Sequence, residues 1–305
     1  MISGSRYTPA PSPKTLIRVT GQDAFTFLQG QFSNDLRPPP GSATHGLWLN
    51  QKGRVIADSH VLRISENEFL LTSAHSAADV IRQRLEDYII ADEVELADES
   101  GITHALVFSG AGSGGILGQL LGAAPAGGRF VRSGELLAFA GCLLPGENFE
   151  ILGTEAAVTK IRRELMAHGA TEMSAAEADF ARIAAGIPAV PLDLGPEDLP
   201  NEGGLEATAV SYTKGCYLGQ EVMARLKNLG QVRRRLHGLT GRGTPPVSRA
   251  ALYQGGKKVG EIRSAASRGD AVVALAMLSL LNLNPTEGLG RAPDGPAEFS
   301  LLPHG

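Results

Sequence analysis

The sequence predicts an α+β fold: a body of mixed α/β lobes followed by a small C-terminal β-barrel. Three observations carry this reading. Helical periodicity and strand alternation interleave through the first two thirds of the chain. After Arg235 every apolar segment is strand-like and bounded by Gly or turn residues. Between the two lies the string Lys214-Gly215-Cys216-Tyr217-Leu218-Gly219-Gln220-Glu221, opening a helical stripe. At 305 residues the chain can bury a large core in two or three lobes. We divide it into a two-lobed body at 1–235, a barrel at 236–283, and a loose tail at 284–305 that is rich in Pro, Gly and polar groups.

The elements follow in order. Residues 14–20 read as a strand, and 23–33 as a helix opened by Asp23, whose charge suits a helix N-terminus. Pro38–Gly41 is a loop. Gly46–Asn50 and Arg54–Ile64 read as a hairpin turned at Gln51-Lys52-Gly53, with a third strand at Phe69–Thr72. Ala77–Ile90 is an amphipathic helix with Val80, Ile81, Leu85, Tyr88 and Ile89 as its stripe. Strands are expected at Glu93–Leu96 and Thr103–Phe108. The Gly/Ala-rich segment Ser109–Gly128 lacks the Lys-Ser or Lys-Thr of a phosphate loop and holds a short helix at Ile116–Leu121. Leu136–Leu144 and Asn148–Leu152 form a hairpin around Pro145-Gly146, then come helices at Glu155–His168 and Ala175–Ala185. The barrel strands are Leu236–Leu239, Ala251–Gln254, Lys258–Arg263 and Ala271–Leu280.

Composition narrows the function classes. Hydrophobic content of 43% with 20% charged residues is ordinary for a globular chain. The 28 basic and 32 acidic residues give a net charge of −4, which argues against a dedicated nucleic-acid binder. Met1–Pro13 has no apolar run and resembles neither a signal peptide nor an Arg-rich transit peptide, and no stretch reaches membrane-spanning length. A cytoplasmic location follows by default. The two cysteines, Cys142 and Cys216, make no disulfide framework. Nor can they ligate a four-cysteine cluster or a structural zinc within one chain, so no metal ligands are expected.

The string around Cys216 carries the chemistry. Val210-Ser211-Tyr212 reads as a short strand, while Leu218, Val222, Leu226 and Leu229 recur at helical spacing before the stop at Gly230. Cys216 is therefore expected at a strand-to-helix turn, where the helix dipole and Lys214 favour the thiolate. The alternative is a small buried cysteine. Gly215 and Gly219 suggest close backbone approach to another part of the chain or to a ligand. Glu221 and Arg225 stand in the favourable i,i+4 order and are expected as a half-buried pair holding the helix to a neighbouring lobe, with Gln220 toward solvent. Along Arg54–Ile64, Asp58 and His60 share a face, as a proton-handling dyad or as the open end of a half-exposed strand.

KGCYLGQE followed by Val222-Met223-Ala224-Arg225 resembles the signature of the YgfZ-type folate-binding proteins. These are relatives of the glycine-cleavage T-protein (aminomethyltransferase) associated with iron–sulfur cluster assembly and repair. Gly21–Gln31, ending in Asn34-Asp35, resembles that family's first helix. Arg182 through Gly186-Ile187-Pro188, then Leu199-Pro200-Asn201-Glu202, resembles its approach to the signature. The resemblance spans roughly residues 15 to 280 and implies a T-protein-like arrangement of lobes. It implies that Cys216, Lys214 and Asp58 are the reactive groups. Glu202, Tyr217, Gly219, Gln220, Glu221 and Arg225 would be the residues on the side of tetrahydrofolate or a one-carbon derivative. Glu202 corresponds to a carboxylate that accepts two adjacent pterin N–H groups; without the resemblance it is a solvated loop charge.

Departures from the T-protein pattern are informative. Cys216 and Gln220 stand where T-proteins usually carry an acid and an Arg, and Ala57 replaces the first of a paired Asp-Asp that ends at Asp58. The resemblance thus implies a tetrahydrofolate-binding protein supporting iron–sulfur cluster assembly or repair in partner enzymes, with Cys216 as the functional thiol. Any link to tRNA modification would be indirect, through cluster-bearing enzymes. A folate-dependent one-carbon transferase and a scaffold that has lost folate are the other two readings.

Overall fold

A computed structural model of the chain describes residues 4–10 and 13–303. Strand β1 (Arg6–Ala10) opens the chain. The first lobe follows as β2 (Thr15–Thr20), α1 (Ala24–Gln31), β3 (Ala43–Leu49), β4 (Val55–Arg63), β5 (Glu68–Ser73), α2 (Ala78–Glu86) and β6 (Glu95–Asp98). Its sheet has the order β3-β4-β5-β2-β6. The second lobe comprises β7 (His104–Ser109), α3 (Ser113–Leu121), β8 (Phe130–Ser133), β9 (Leu136–Ala140), β10 (Asn148–Gly153), α4 (Glu155–Ala167) and β11 (Thr171–Glu172). Strand β1 joins this lobe, in the order β11-β1-β7-β10-β9-β8.

Period-two alternation explains how the two sheets share a core. Ile17 and Val19 of β2 face α1 and α2 with Phe27, Leu28, Ile81 and Leu85. Leu16, on the opposite face, packs with Leu62 and Leu70 against Ala105, Leu137, Phe139 and Leu152 of the second sheet. Buried on both faces, these strands read as nearly continuous apolar runs. The body then continues through α5 (Ala175–Ala184), whose Ser174 and Glu177 form a capping box, and α6 (Gln220–Leu229).

The C-terminal sheet is β13 (Ala251–Gln254), β14 (Lys257–Arg268), β15 (Ala271–Ser279), β12 (Arg234–Arg242) and β16 (Phe299–Leu301), all antiparallel. A register shift between Ile262 and Ser264 bends β14. Residues 289–290 bridge the two edges, Leu289 to Phe299 and Gly290 to Tyr253, and curl the sheet into a half-barrel. Leu289 and Phe299 are buried in its core. Within the segment read as a loose tail, residues 289–290 and β16 thus cover sheet edges that would otherwise leave unpaired backbone groups. His304 and Gly305 lie outside the described residues, as do Met1–Ser3 and Pro11–Ser12 of the segment read for targeting.

Other differences are local. Asp23 stands at the N-cap of α1, but its side chain makes no capping bond; Oδ2 instead accepts from the Glu93 amide at 2.8 Å and so fixes the loop before β6. Val210–Tyr212 is no strand, since its one inter-segment backbone bond runs from Ser211 N to Ser33 O. Val80 of α2 is exposed, while Tyr88 and Ile89 pack on the core from beyond the helix end. The short strands β1, β8, β11 and β16 carry too few residues to show a period.

Candidate functional site

The signature loop is built against the C-terminal turn of α1. Lys214 is 5% exposed and donates to three carbonyls, Gln29 O at 2.6 Å, Phe32 O at 2.7 Å and Asn34 O at 2.9 Å. A helix C-terminus leaves carbonyls without intrahelical donors, and an ammonium with three hydrogens satisfies them as a cluster. Burial draws its pKa down to about 8. Leu218 N adds a bond to Gly30 O, Ser33 Oγ donates to Ala209 O, and Asn34 Nδ2 donates to Thr208 O. The two segments that resemble the family most thus meet in space.

On its other side the loop rests on the β3–β4 turn. Gly219 has φ +86, and a Cβ there would lie 2.8 Å from Asn50 O and 3.1 Å from the Gly53 Cα. A Cβ on Gly53 would in turn strike Val222 and Met223 at about 3 Å. The close approach suggested by the sequence is thus glycine against glycine, between α6 and the turn of the hairpin that bears Asp58. Gly215 has no such neighbour within 4 Å. Tyr217 is buried in the core shared by Leu47, Leu49, Val55, Val210 and Met223, and its hydroxyl has no hydrogen-bond partner.

Between these anchors Cys216 is exposed. Two sequence expectations for it are corrected. Helix α6 begins at Gln220, four residues later, and Lys214 points its charge at the α1 carbonyls. The Glu221–Arg225 pair forms at 3.0 Å, but with side chains 87% and 68% exposed it is a surface pair and holds no lobe. The buried face of α6 is Met223, flanked by Val222 and Leu226. Gln220 is partly buried.

Asp58 and His60 do lie on one face of β4, but they are not each other's partners. Asp58 Oδ1 accepts from Ser73 Oγ at 2.9 Å and Ser76 Oγ at 2.8 Å, and Oδ2 stands 3.4 Å from His45 Nε2 on β3. Burial favours the neutral acid, yet His45 and the two hydroxyls together hold the carboxyl below its ordinary range. His60, its ring centroid 4.9 Å from that of His45 and tilted to it by 41°, faces Glu150 of β10 across the sheet interface, Nδ1 to Oε1 3.6 Å.

Glu202 is buried and committed to an ion pair. Arg234 of β12 grips it bidentately, Nε to Oε1 at 2.9 Å and a terminal nitrogen to Oε2 at 3.2 Å, while Leu199 N donates to Oε2 at 2.8 Å. Asp198, 0% exposed, accepts from Arg234 and from the buried Arg263 of β14, both at 2.9 Å. These acids seat the half-barrel on the body. An arginine fork thus occupies the bidentate geometry through which Glu202 was expected to accept a pterin. Asp198, Arg234, Arg263 and His45 were missed in the sequence. The Asp-Leu-Pro-Asn-Glu spacing alone does not reveal which arginines fold onto it.

The chain is similar to several known proteins. The GCVT N-terminal domain family matches residues 12–214. A putative chloroplastic transferase of Arabidopsis thaliana is 31% identical over 81% of this chain and 59% of its own length, so the chain spans well under two thirds of that relative. The tRNA-modifying protein YgfZ of Serratia proteamaculans is 24% identical, covering 94% of this chain and 88% of the relative. The human mitochondrial iron–sulfur cluster assembly factor IBA57 is 27% identical over 87% and 75%. The solved glycine cleavage system aminomethyltransferase T from Bartonella henselae superposes with a TM-score of 0.76 over 92% of this chain and 79% of its own, at 18% identity. That structure shares the fold. Among the described residues no helix is long and apolar enough to cross a membrane.

Proposed function

We propose, because this chain belongs to the GCVT N-terminal domain family, that it is a tetrahydrofolate-binding protein supporting iron–sulfur cluster assembly or repair in partner proteins, with Cys216 as the thiol it presents and the cytoplasm as its location. One observation carries the reading: Cys216 is exposed on a loop fixed on both sides, by buried Lys214 before it and by Tyr217 and Gly219 after it. A thiol on a rigid, exposed support is available to a partner's iron, whereas one chain with two cysteines cannot supply four thiolates. The names of the relatives, a tRNA-modifying protein and a cluster assembly factor, support the same direction.

The residues present fit a pterin only in part. Glu202 is occupied by Arg234. The buried hydroxyl of Tyr217 and the buried carboxamide oxygen of Asn201 have no hydrogen-bond partner. We assign them to the ligand: Asn201 Oδ1 would accept a hydrogen bond from it and the Tyr217 hydroxyl would donate one. Tetrahydrofolate, when bound, supplies a carrier for one-carbon units. Two serine hydroxyls and His45 hold Asp58 below the ordinary carboxylate range against the effect of burial, which weakens it as a base and favours a binding role.

Anaerobic calorimetry with tetrahydrofolate tests the folate part. Saturable binding should weaken about tenfold in Tyr217→Phe, the equivalent of one hydrogen bond, and change little in Glu202→Gln. No binding at millimolar ligand would remove folate from the reading. Cys216→Ser should retain folate affinity and fail to restore cluster content in a depleted iron–sulfur enzyme. Full restoration by that variant would overturn the role of the thiol.

A further inference from the structure

We propose that His60, Cys142 and Glu150 form a site for a divalent transition metal of the zinc class, set between the two sheets of the body. Their donor atoms, an imidazole nitrogen, a thiol sulfur and a carboxylate oxygen, lie within 4.8 Å of one another. They come from three separate elements: β4, the turn after β9, and β10. The site uses the cysteine that the proposed function leaves idle and is independent of it.

Several features suit a ligand better than a satisfied core. His60 and Glu150 are each 7% exposed, deep for two ionisable side chains. Glu150 Oε1 is buried without a hydrogen-bond partner, and its 3.6 Å approach to His60 Nδ1 is too long to be one. An orphaned buried carboxylate oxygen carries a desolvation cost that a cation would offset. Gly141 lets the chain at Cys142 close over the carboxylate, since a Cβ there would meet Glu150 Cγ at 3.0 Å and Oε1 at 3.1 Å. The Phe139 ring, 4.9 Å from His60, walls the site with apolar surface.

His45 touches Cys142 through its side chain and Asp58 through Nε2. An Asp58–His45–Cys142 chain of this kind orients a ligating thiolate from outside the coordination shell.

Thiolate, imidazole and carboxylate together select zinc-class ions over calcium or magnesium. Bond lengths of about 2.0–2.3 Å require tetrahedral donor separations of about 3.3–3.8 Å, so the triangle must contract by roughly 1 Å. Three protein donors leave a fourth position for water or a small anionic ligand.

The test uses the full chain carrying Cys216→Ser, stripped of metal and titrated with Co²⁺. We expect one equivalent to bind with a thiolate-to-cobalt charge-transfer band and tetrahedral d–d absorption, both displaced by Zn²⁺. The charge-transfer band should vanish with Cys142→Ser, and affinity should fall at least about tenfold with Glu150→Gln. Absence of the band in the Cys216→Ser protein, or its survival after Cys142→Ser, would overturn the site. Should those variants fold poorly by circular dichroism, the unmodified chain answers instead: Zn²⁺ should slow alkylation of Cys142, mapped by mass spectrometry, more than that of Cys216. Equal rates with and without Zn²⁺ at Cys142 would also overturn it.

Discussion

Lys214 and Gly219 decide where the signature loop sits, by different physics. Gly219 holds a left-handed backbone with Asn50 O and Gly53 Cα where a side chain would begin. Gly219→Ala should therefore cost at least about 1–2 kcal/mol from conformation alone, whereas Gly215→Ala, in open space, should stay within about 0.5 kcal/mol. Urea midpoints of the two variants decide this; equal midpoints would refute the glycine–glycine contact. Lys214→Met strands three carbonyls and should cost about 3 kcal/mol. Lys214 titrates near 10.5 when unfolded and near 8 when folded. Between those values the unfolded chain binds more protons, so this group makes stability rise with pH across that window. The rise should be smaller in Lys214→Met than in wild type when unfolding is followed from pH 8 to 10.

Helices α5 and α6 illustrate how element-level signals differ in worth. The capping box at Ser174 and Glu177 satisfies helix-end donors reciprocally, and Ser174→Ala should destabilise by about 1 kcal/mol. The Glu221–Arg225 pair has the better-known pattern, but both side chains are in solvent. Glu221→Ala should cost about 0.5 kcal/mol or less, and less still at high salt. A larger loss for Glu221→Ala than for Ser174→Ala in thermal unfolding would reverse this ranking. Periodicity located α1, α2, α4, α5 and α6, and alternation found the β3–β4 hairpin to within a few residues. Strands of two to five residues such as β1, β8, β11 and β16 escaped, since their identity lies in their partners.

At the scale of the whole molecule, the half-barrel is fastened to the body by Asp198 and Glu202 gripping Arg234 and Arg263. Apolar contacts reinforce this: Phe180 and Ile183 of α5 pack on Val273 and Leu275. Asp198→Ala would leave Arg263, 1% exposed, without its buried partner at a cost of about 3–5 kcal/mol. The half-barrel should then unfold separately, giving two transitions in calorimetry where wild type gives one. A single unshifted transition would show that the apolar contacts suffice.

The α+β class, the strand-rich C-terminal part and the loop that bears Cys216 are legible in one dimension, because each is written in local periodicity, turn residues or a contiguous motif. Family resemblance singled out Asp58 and Glu202 as well, and both proved to be buried or nearly so. What they face emerges only when the chain is folded. Asp58 meets His45 on the neighbouring strand and serines at and just beyond the end of β5, and Glu202 meets an arginine 32 residues further along the chain. The grouping of His60, Cys142 and Glu150 is invisible in one dimension, since it arises where two sheets stack. Partners of buried charges are set by which faces pack together, and that choice belongs to the core of the whole chain rather than to any local stretch.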